Sequence, residues 1–124
     1  MSSLVKLFAV AATFGVCAAA HAAGDADRGR TLYQARCTAC HSLDYNGVGP
    51  AHRGVYGRAA GTAPGYAYSP ALKSTRLSWN DETLDRWLAD PEKVAPGQRM
   101  GVNVPDAQDR ADLIAYLKQN AAAK

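Results

Sequence analysis

The stretch from residue 47 to residue 65 constrains the fold of this 124-residue chain more than any other part. It contains six glycines and two prolines, and neither strand alternation nor an internal repeat runs through it. A compact domain rarely holds a segment this long without regular structure unless the segment wraps around something. We therefore expect a glycine-rich loop that encloses a group the polypeptide does not itself supply.

Helical periodicity predicts three amphipathic helices, one before this stretch and two after it. Their apolar faces are formed by Gly29, Leu32, Tyr33 and Cys37 in the first, by Leu84, Trp87 and Leu88 in the second, and by Leu113, Ile114 and Leu117 in the third. The first helix should begin near Asp25, where a carboxylate suits the helix N-terminus, and the third after Asp106. The second should be capped by Ser78 or Asn80 and end before Pro91.

A short helical turn is also predicted at residues 69–72, so the fold class is all-α. An apolar fraction of 48% and a charged fraction of 20% are typical of a globular domain, and the length allows one domain. The net charge of +3, with no Lys/Arg run longer than two residues, argues against a nucleic-acid-binding protein. Three short helices bury too little surface to be stable alone, so the domain needs an additional core.

The N-terminal residues have the pattern of a secretory signal peptide. Lys6 precedes an apolar run over Leu7–Ala20, and small residues surround a cleavable bond after Ala22. The run is shorter than the roughly 18–20 residues that span a bilayer, which argues against a membrane anchor. We expect residues 1–22 to be removed, Cys17 with them, and residues 23–124 to form one domain in an oxidising compartment, the bacterial periplasm.

The missing core is indicated by the sequence Cys37-Thr-Ala-Cys40-His41 at the end of the first helix. Cys-x-x-Cys-His is the attachment signature of c-type haem. Positions i, i+3 and i+4 share one helix face, so both sulfurs and the imidazole should point the same way. Each thiol can then add to one vinyl group of a porphyrin while His41 reaches the iron, and the macrocycle becomes the interior of the protein.

Two other interpretations of this motif remain open. A Cys-x-x-Cys pair can be a dithiol/disulfide switch, although that motif usually follows a strand in a βαβ unit. Cys37, Cys40 and His41 could also bind zinc, for which His52, the only other histidine after signal removal, would be the fourth ligand.

The chain around the motif resembles the class I cytochromes c of the mitochondrial type and their bacterial periplasmic relatives. The resemblance begins at Gly24–His41 and covers nearly all of residues 24–118. Its further matches are Gly49-Pro50, Gly54–Arg58, Ala63–Tyr66, Trp79, Asp90-Pro91, Pro96–Met100 and Arg110–Leu117. The resemblance implies a cytochrome c fold, with three main helices, a short helical turn and loops around one covalent haem c.

The resemblance also implies the two axial ligands of the iron. His41 would bind one face and Met100, after Pro96-Gly97, the other; a soft thioether favours Fe(II) and raises the reduction potential. His52 and Lys93 are alternative ligands.

Further residues match family positions around the haem. The carbonyl of Pro50 would orient His41, and Arg58, Tyr68 and Trp79 would bind the haem propionates or their water network. Gly29 would allow a close crossing of the first and last helices, with Tyr33 packed against Leu113 and Tyr116.

The sequence departs from the family pattern in the region around Met100. Trp87 and Gln98 stand where many relatives have tyrosine and threonine, and Leu72 replaces an asparagine. Gly101-Val102 replaces a bulkier pair at the exposed haem edge. These changes alter the polarity beside the Met100 sulfur, and they should therefore affect the reduction potential and the strength of the iron–sulfur bond.

The predicted function is that of a soluble periplasmic one-electron carrier, not an enzyme, that acts as a monomer. No nucleophile motif or paired carboxylate indicates catalysis. Its partners would be redox proteins that bind transiently, one as electron donor and one as electron acceptor. A membrane-bound oxidase or reductase is a candidate partner. Docking would depend on Arg36, Lys93 and Arg99, interleaved with nearby acidic residues, with a weaker salt dependence than in lysine-rich relatives.

Two alternative functions are also compatible with the sequence. An electron-relay subunit of a periplasmic dehydrogenase or reductase would expose an apolar patch, for which Val102 and Val104 are candidates. A ligand-binding or peroxidase-like haem protein would need Met100 to leave the iron easily.

Overall fold

The computed structural model describes residue 15 and residues 23–122, and it confirms the all-α class. Its helices are α1 (Ala26–Arg36), α2 (Pro70–Ser74), α3 (Asp81–Ala89), α4 (Pro91–Val94) and α5 (Ala107–Gln119). In the described ranges the only strand-like pairing is an isolated antiparallel bridge between Ala59 and Ser78. The predicted signal peptide, residues 1–22, lies outside the described residues except for residue 15.

Local hydrogen bonds explain where α1 begins and where it ends. The helix begins next to Asp25, as predicted, and the Asp25 carboxylate caps it by accepting from the backbone N–H groups of Asp27 and Arg28. The helix ends at Arg36, so the cysteine motif follows the helix instead of forming its last turn. The Cys37 carbonyl oxygen nevertheless accepts from the N–H groups of Cys40 and His41, at 3.1 and 2.8 Å, which preserves helix-like spacing through the motif.

The helices after the loop also begin at side-chain caps. Asn80 forms a reciprocal capping box with Thr83 at the start of α3, so of the two candidate caps, Ser78 and Asn80, the structure has Asn80. The Asp106 carboxylate caps α5, as predicted. Pro91 ends α3, but it also occupies the first turn of α4, a helix that the periodicity did not predict. Proline suits that position because its missing N–H would have no partner within the helix.

The α1 and α5 helices cross in close contact. A Cβ atom built on Gly29 would overlap the backbone carbonyl of Asp112, so only glycine fits there without a shift. Next to it the Tyr33 and Tyr116 rings pack with centroids 5.2 Å apart. These contacts confirm the predicted crossing of the first and last helices.

Charged groups at the edge of this crossing are paired. The Asp112 side chain is fully buried, and its oxygens accept from the Asp25 N–H at 2.8 Å, the Gln108 amide at 2.9 Å and the Arg28 guanidinium. Arg28 also donates to Asp109 at 2.7 Å. Both oxygens of the Asp112 carboxylate thus have hydrogen-bond partners, as burial of this charged group requires.

The remaining core lies between α3, α5 and the loops. Leu84, Trp87, Leu113 and Leu117 form part of one buried apolar cluster. None of the helices within residues 23–122 has the length and apolar character needed to cross a bilayer.

Candidate functional site

The loops and helices enclose a cavity of about 420 Å³. Its wall is largely aliphatic and aromatic, and includes Val55, Leu84, Leu88, Leu113 and Leu117. These side chains come from the glycine-rich loop, from α3 and from α5. The loop therefore does enclose a space, and that space suits a large apolar group better than a polar metabolite.

The cysteine motif lies at the wall of this cavity. Cys37, Cys40 and His41 all line it, as the helical spacing predicted. Burial raises the pKa of the Cys37 thiol to about 11, although Arg36 acts in the opposite direction. Cysteines of dithiol/disulfide switches have a lowered pKa, so this environment argues against that interpretation of the motif.

The His41 ring is held with one nitrogen occupied. Its Nδ1 lies 2.9 Å from the carbonyl oxygen of Pro50 and must donate there, because a carbonyl has no proton to give. Burial lowers the pKa of His41, while the Pro50 carbonyl partly offsets that effect. The ring is therefore neutral at pH 7 with its lone pair on Nε2, the form in which histidine binds metals.

His52 lies beside His41 and not opposite it. The two rings stack, with centroids 4.0 Å apart and an interplanar angle of 19°, and His52 Nδ1 is 3.0 Å from the Tyr33 hydroxyl. Burial, His41 and Arg58 together lower the pKa of His52 to about 3. Ligands on opposite faces of one iron point their nitrogens at each other, so stacked rings argue against His52 as the second axial ligand. The sequence pattern does not predict this contact.

The zinc interpretation lacks a ligand set. Among the residues the structure describes, no three histidine, cysteine, aspartate or glutamate side chains are arranged to hold a metal ion. His52 shows its ring face to His41, so the two imidazoles do not converge on a common point.

Met100 lines the same cavity as the cysteine motif, on a loop held by Glu92 and Gln98. The Met100 N–H donates to Gln98 Oε1, and Gln98 Nε2 donates to Glu92 Oε2 at 3.3 Å. Glu92 Oε1 also accepts from the Gly97 N–H at 2.9 Å. Gln98, a departure from the family pattern, thus helps to order the loop that carries the Met100 thioether.

Arg58, Tyr68 and Trp79 supply polar groups to the wall. The Tyr68 hydroxyl accepts from the Ala63 N–H at 2.9 Å and keeps its own proton for donation. Arg58 donates to the carbonyls of Arg53 and Ala51 at 3.3 and 3.4 Å, long contacts that leave its charge only partly compensated. These groups can bind carboxylates.

Comparison with known proteins decides the family. Residues 26–121 match the family model described as cytochrome c. The chain belongs to the cytochrome c family. It is 47% identical over 98 residues to cytochrome c of Euglena viridis, covering 77% of this chain and 96% of that protein. Cytochrome c2 of Rhodomicrobium vannielii is 40% identical over 117 residues, which cover 91% of this chain and 93% of that one.

A solved cytochrome c has the same fold. Cytochrome cH from Methylobacterium extorquens superposes with a TM-score of 0.75 and 47% identity, over 77% of this chain and 99% of that one. This confirms the predicted class I cytochrome c fold. Membership of the family implies one covalently bound c-type haem, and a cavity with an apolar wall, two thiols, an imidazole, a thioether and carboxylate-binding groups fits that cofactor.

Proposed function

We propose that this cytochrome c is a soluble periplasmic one-electron carrier. Cys37 and Cys40 would bind the haem covalently, and His41 and Met100 would be its axial ligands. The observation that carries the proposal is that these four side chains line one apolar cavity. When bound, the haem supplies a single iron that cycles between Fe(III) and Fe(II).

The residues around the cavity would keep the iron environment the same in both oxidation states. Pro50 fixes the proton on His41 Nδ1, and the Glu92–Gln98 contacts hold the Met100 loop. His41 and Met100 would both bind the iron, and a substrate would then have no access to the metal. Arg58, Tyr68 and Trp79 would bind the haem carboxylates, which lowers the cost of partly burying those charges.

The first test is a visible spectrum of both oxidation states, together with the intact mass of protein exported from a cell that attaches c-type haem. We expect a low-spin His/Met spectrum, a sulfur-to-iron charge-transfer band in the ferric form, and a mass equal to residues 23–124 plus one haem. A colourless product with the mass of the polypeptide alone would contradict the proposal. A mass that retains residues 1–22 would contradict export with cleavage.

Met100→Ala tests the second ligand, and Val102→Ala is its matched control. Val102 is 47% exposed on the same loop. We expect Met100→Ala to lose the charge-transfer band, to bind cyanide rapidly and to have a lower reduction potential, because a soft ligand for Fe(II) is removed. Val102→Ala should retain the wild-type spectrum. Rapid cyanide binding by the wild-type ferric protein would favour the peroxidase-like alternative.

Charged side chains on the surface around the cavity would steer redox partners. The three cations predicted to take part in docking differ in their ion pairing. Arg36 lies 3.3 Å from Asp109, and Lys93 lies 3.4 Å from Asp90. Arg99 lines the cavity and, within residues 23–122, has only a long contact to the Ala67 carbonyl. Arg99 should therefore contribute most to attraction of an acidic partner.

Oxidation of the reduced protein by ferricyanide, followed over a range of salt concentrations, tests this assignment. Arg99→Gln should flatten the dependence of the rate on salt more than Lys93→Gln, which removes the same charge away from the cavity wall. Equal slopes in the two variants would contradict it.

The alternative function, an electron-relay subunit, depends on an exposed apolar patch formed by Val102 and Val104, and only Val102 is exposed. Val104 is only 2% exposed and donates its N–H to the Leu88 carbonyl, so it does not join Val102 at the surface. Size-exclusion chromatography of native extract should show a monomer.

A further inference from the structure

A chain of contacts runs from the helix crossing to His41. The Tyr33 ring, 3% exposed, packs on Tyr116 of α5, and its hydroxyl lies 3.0 Å from Nδ1 of His52. The His52 ring in turn stacks on His41. The last contact joins His41 Nδ1 to Pro50.

A hydrogen bond joins the Tyr33 hydroxyl to the His52 ring. The phenol can donate to Nδ1 in one His52 tautomer or accept from Nδ1–H in the other, and the two atoms are 3.0 Å apart. In either case the bond ties the edge of the His52 ring to a tyrosine that is itself buried in the helix crossing. The hydroxyl therefore fixes the orientation of the His52 ring relative to the buried helix crossing.

The His41 ring needs more than one contact to define its plane. A single hydrogen bond to the Pro50 carbonyl selects the tautomer but allows the ring to turn about the bond direction. Stacking against His52 restricts that rotation, because a turned ring would lose the parallel contact or collide with its neighbour. Gly49 leaves room for the Cε1 edge of His41, where a Cβ atom would overlap the ring.

We propose that His52 is a positioning residue for the haem ligand His41 and fixes the plane of its imidazole through the stacked contact. The inference rests on the ligation proposed above. The imidazole plane determines which iron d orbitals interact with the ligand π system. In a low-spin ferric haem it therefore affects the electron-spin anisotropy and the paramagnetic shifts of the haem methyl groups.

The test uses the ferric holoprotein, with proton NMR of the four haem methyl groups and the EPR g-values as readouts. His52→Leu should change the spread or order of the methyl shifts, because an aliphatic side chain cannot stack. His52→Phe keeps a ring at this position and should return the pattern toward wild type. Ile114→Val, a buried change on α5 away from the cavity wall, is the control and should leave the pattern unchanged.

Tyr33→Phe removes only the hydroxyl and provides a second route if His52→Leu fails to fold. It should shift the methyl pattern in the same direction as His52→Leu but less, and should have no effect when His52 is already leucine. An unchanged pattern in His52→Leu, or a Tyr33→Phe effect that is equal with and without His52, would overturn the positioning role alone. A wild-type holoprotein without His/Met ligation would overturn the proposed function as well.

Discussion

At the crossing of α1 and α5, the backbone at Gly29 meets the backbone at Asp112 and leaves no space between them. One residue further along α5, Leu113 faces a cavity of about 420 Å³. The same two helices therefore border a region that protein atoms complete and a region that they do not. The comparison indicates that protein atoms alone complete the packing at the crossing, whereas the cavity wall depends on the group that fills the cavity.

The largest expected effect comes from removing the attachment of that group. The double variant Cys37→Ser/Cys40→Ser leaves the crossing intact but allows the cavity contents to be lost. Since a 420 Å³ apolar void cannot be closed by small side-chain shifts, we expect the product to lose most of its fixed tertiary structure. Near-UV circular dichroism should collapse while some far-UV helical signal from α1 and α5 remains.

The matched control is Cys17→Ser, which changes a cysteine outside the motif and within the predicted signal peptide. Its exported product should be identical to wild type. A double variant with native near-UV circular dichroism in the absence of haem would show that the cavity wall does not depend on its contents.

The second prediction concerns a substitution that disrupts the crossing and leaves the cavity wall unchanged. Gly29→Ala should destabilise the holoprotein by about 3 kcal/mol, because the new Cβ meets backbone atoms that cannot rotate away. This cost exceeds the roughly 1 kcal/mol that alanine gains over glycine in a helix. Guanidinium unfolding followed by far-UV circular dichroism measures the change.

Arg30→Ala is the control, because Arg30 is an exposed neighbour of Gly29 on α1. It should change the free energy of unfolding by less than about 0.5 kcal/mol. Equal effects at the two positions would refute a close crossing.

The success of sequence-based prediction also differs between the two regions. The caps Asp25, Asn80 and Asp106 were predictable because each acts on N–H groups within three residues of itself. The contact of His52 with Tyr33 was not, because the partners are 19 residues apart across a loop without periodicity. The close approach at Gly29 was predicted only through the family resemblance, since helical periodicity gives no crossing partner.

The third prediction concerns the buried charge beside the crossing. Asp112→Asn should lower the free energy of unfolding by about 2 kcal/mol, because the ion pair with Arg28 is lost and the new amide N–H2 group meets donors where the carboxylate accepted. Glu82→Gln is the control: the Glu82–Arg86 pair is 4.0 Å apart and exposed on both sides, so less than about 0.5 kcal/mol is expected. A similar cost at both positions would mean that burial of Asp112 adds nothing.

The smallest predicted effect is the pH dependence of the difference in unfolding free energy between wild type and Asp112→Asn. Burial alone would raise the pKa of Asp112, but the Asp25 N–H, the Gln108 amide and the Arg28 guanidinium outweigh it and keep the pKa below 3.8. The folded protein thus binds fewer protons at Asp112 than the unfolded chain in mildly acidic solution, so the stabilisation is present above the unfolded pKa and lost as pH falls through the folded pKa.

Unfolding of wild type and Asp112→Asn at several pH values from 7 to 3 measures this effect. The gap in unfolding free energy should be constant near neutrality and narrow below about pH 4. Both proteins retain the buried His52, whose protonation also destabilises the fold in acid, so that contribution cancels in the difference. A gap that stays constant down to pH 3 would show that Asp112 is not held ionised by the crossing.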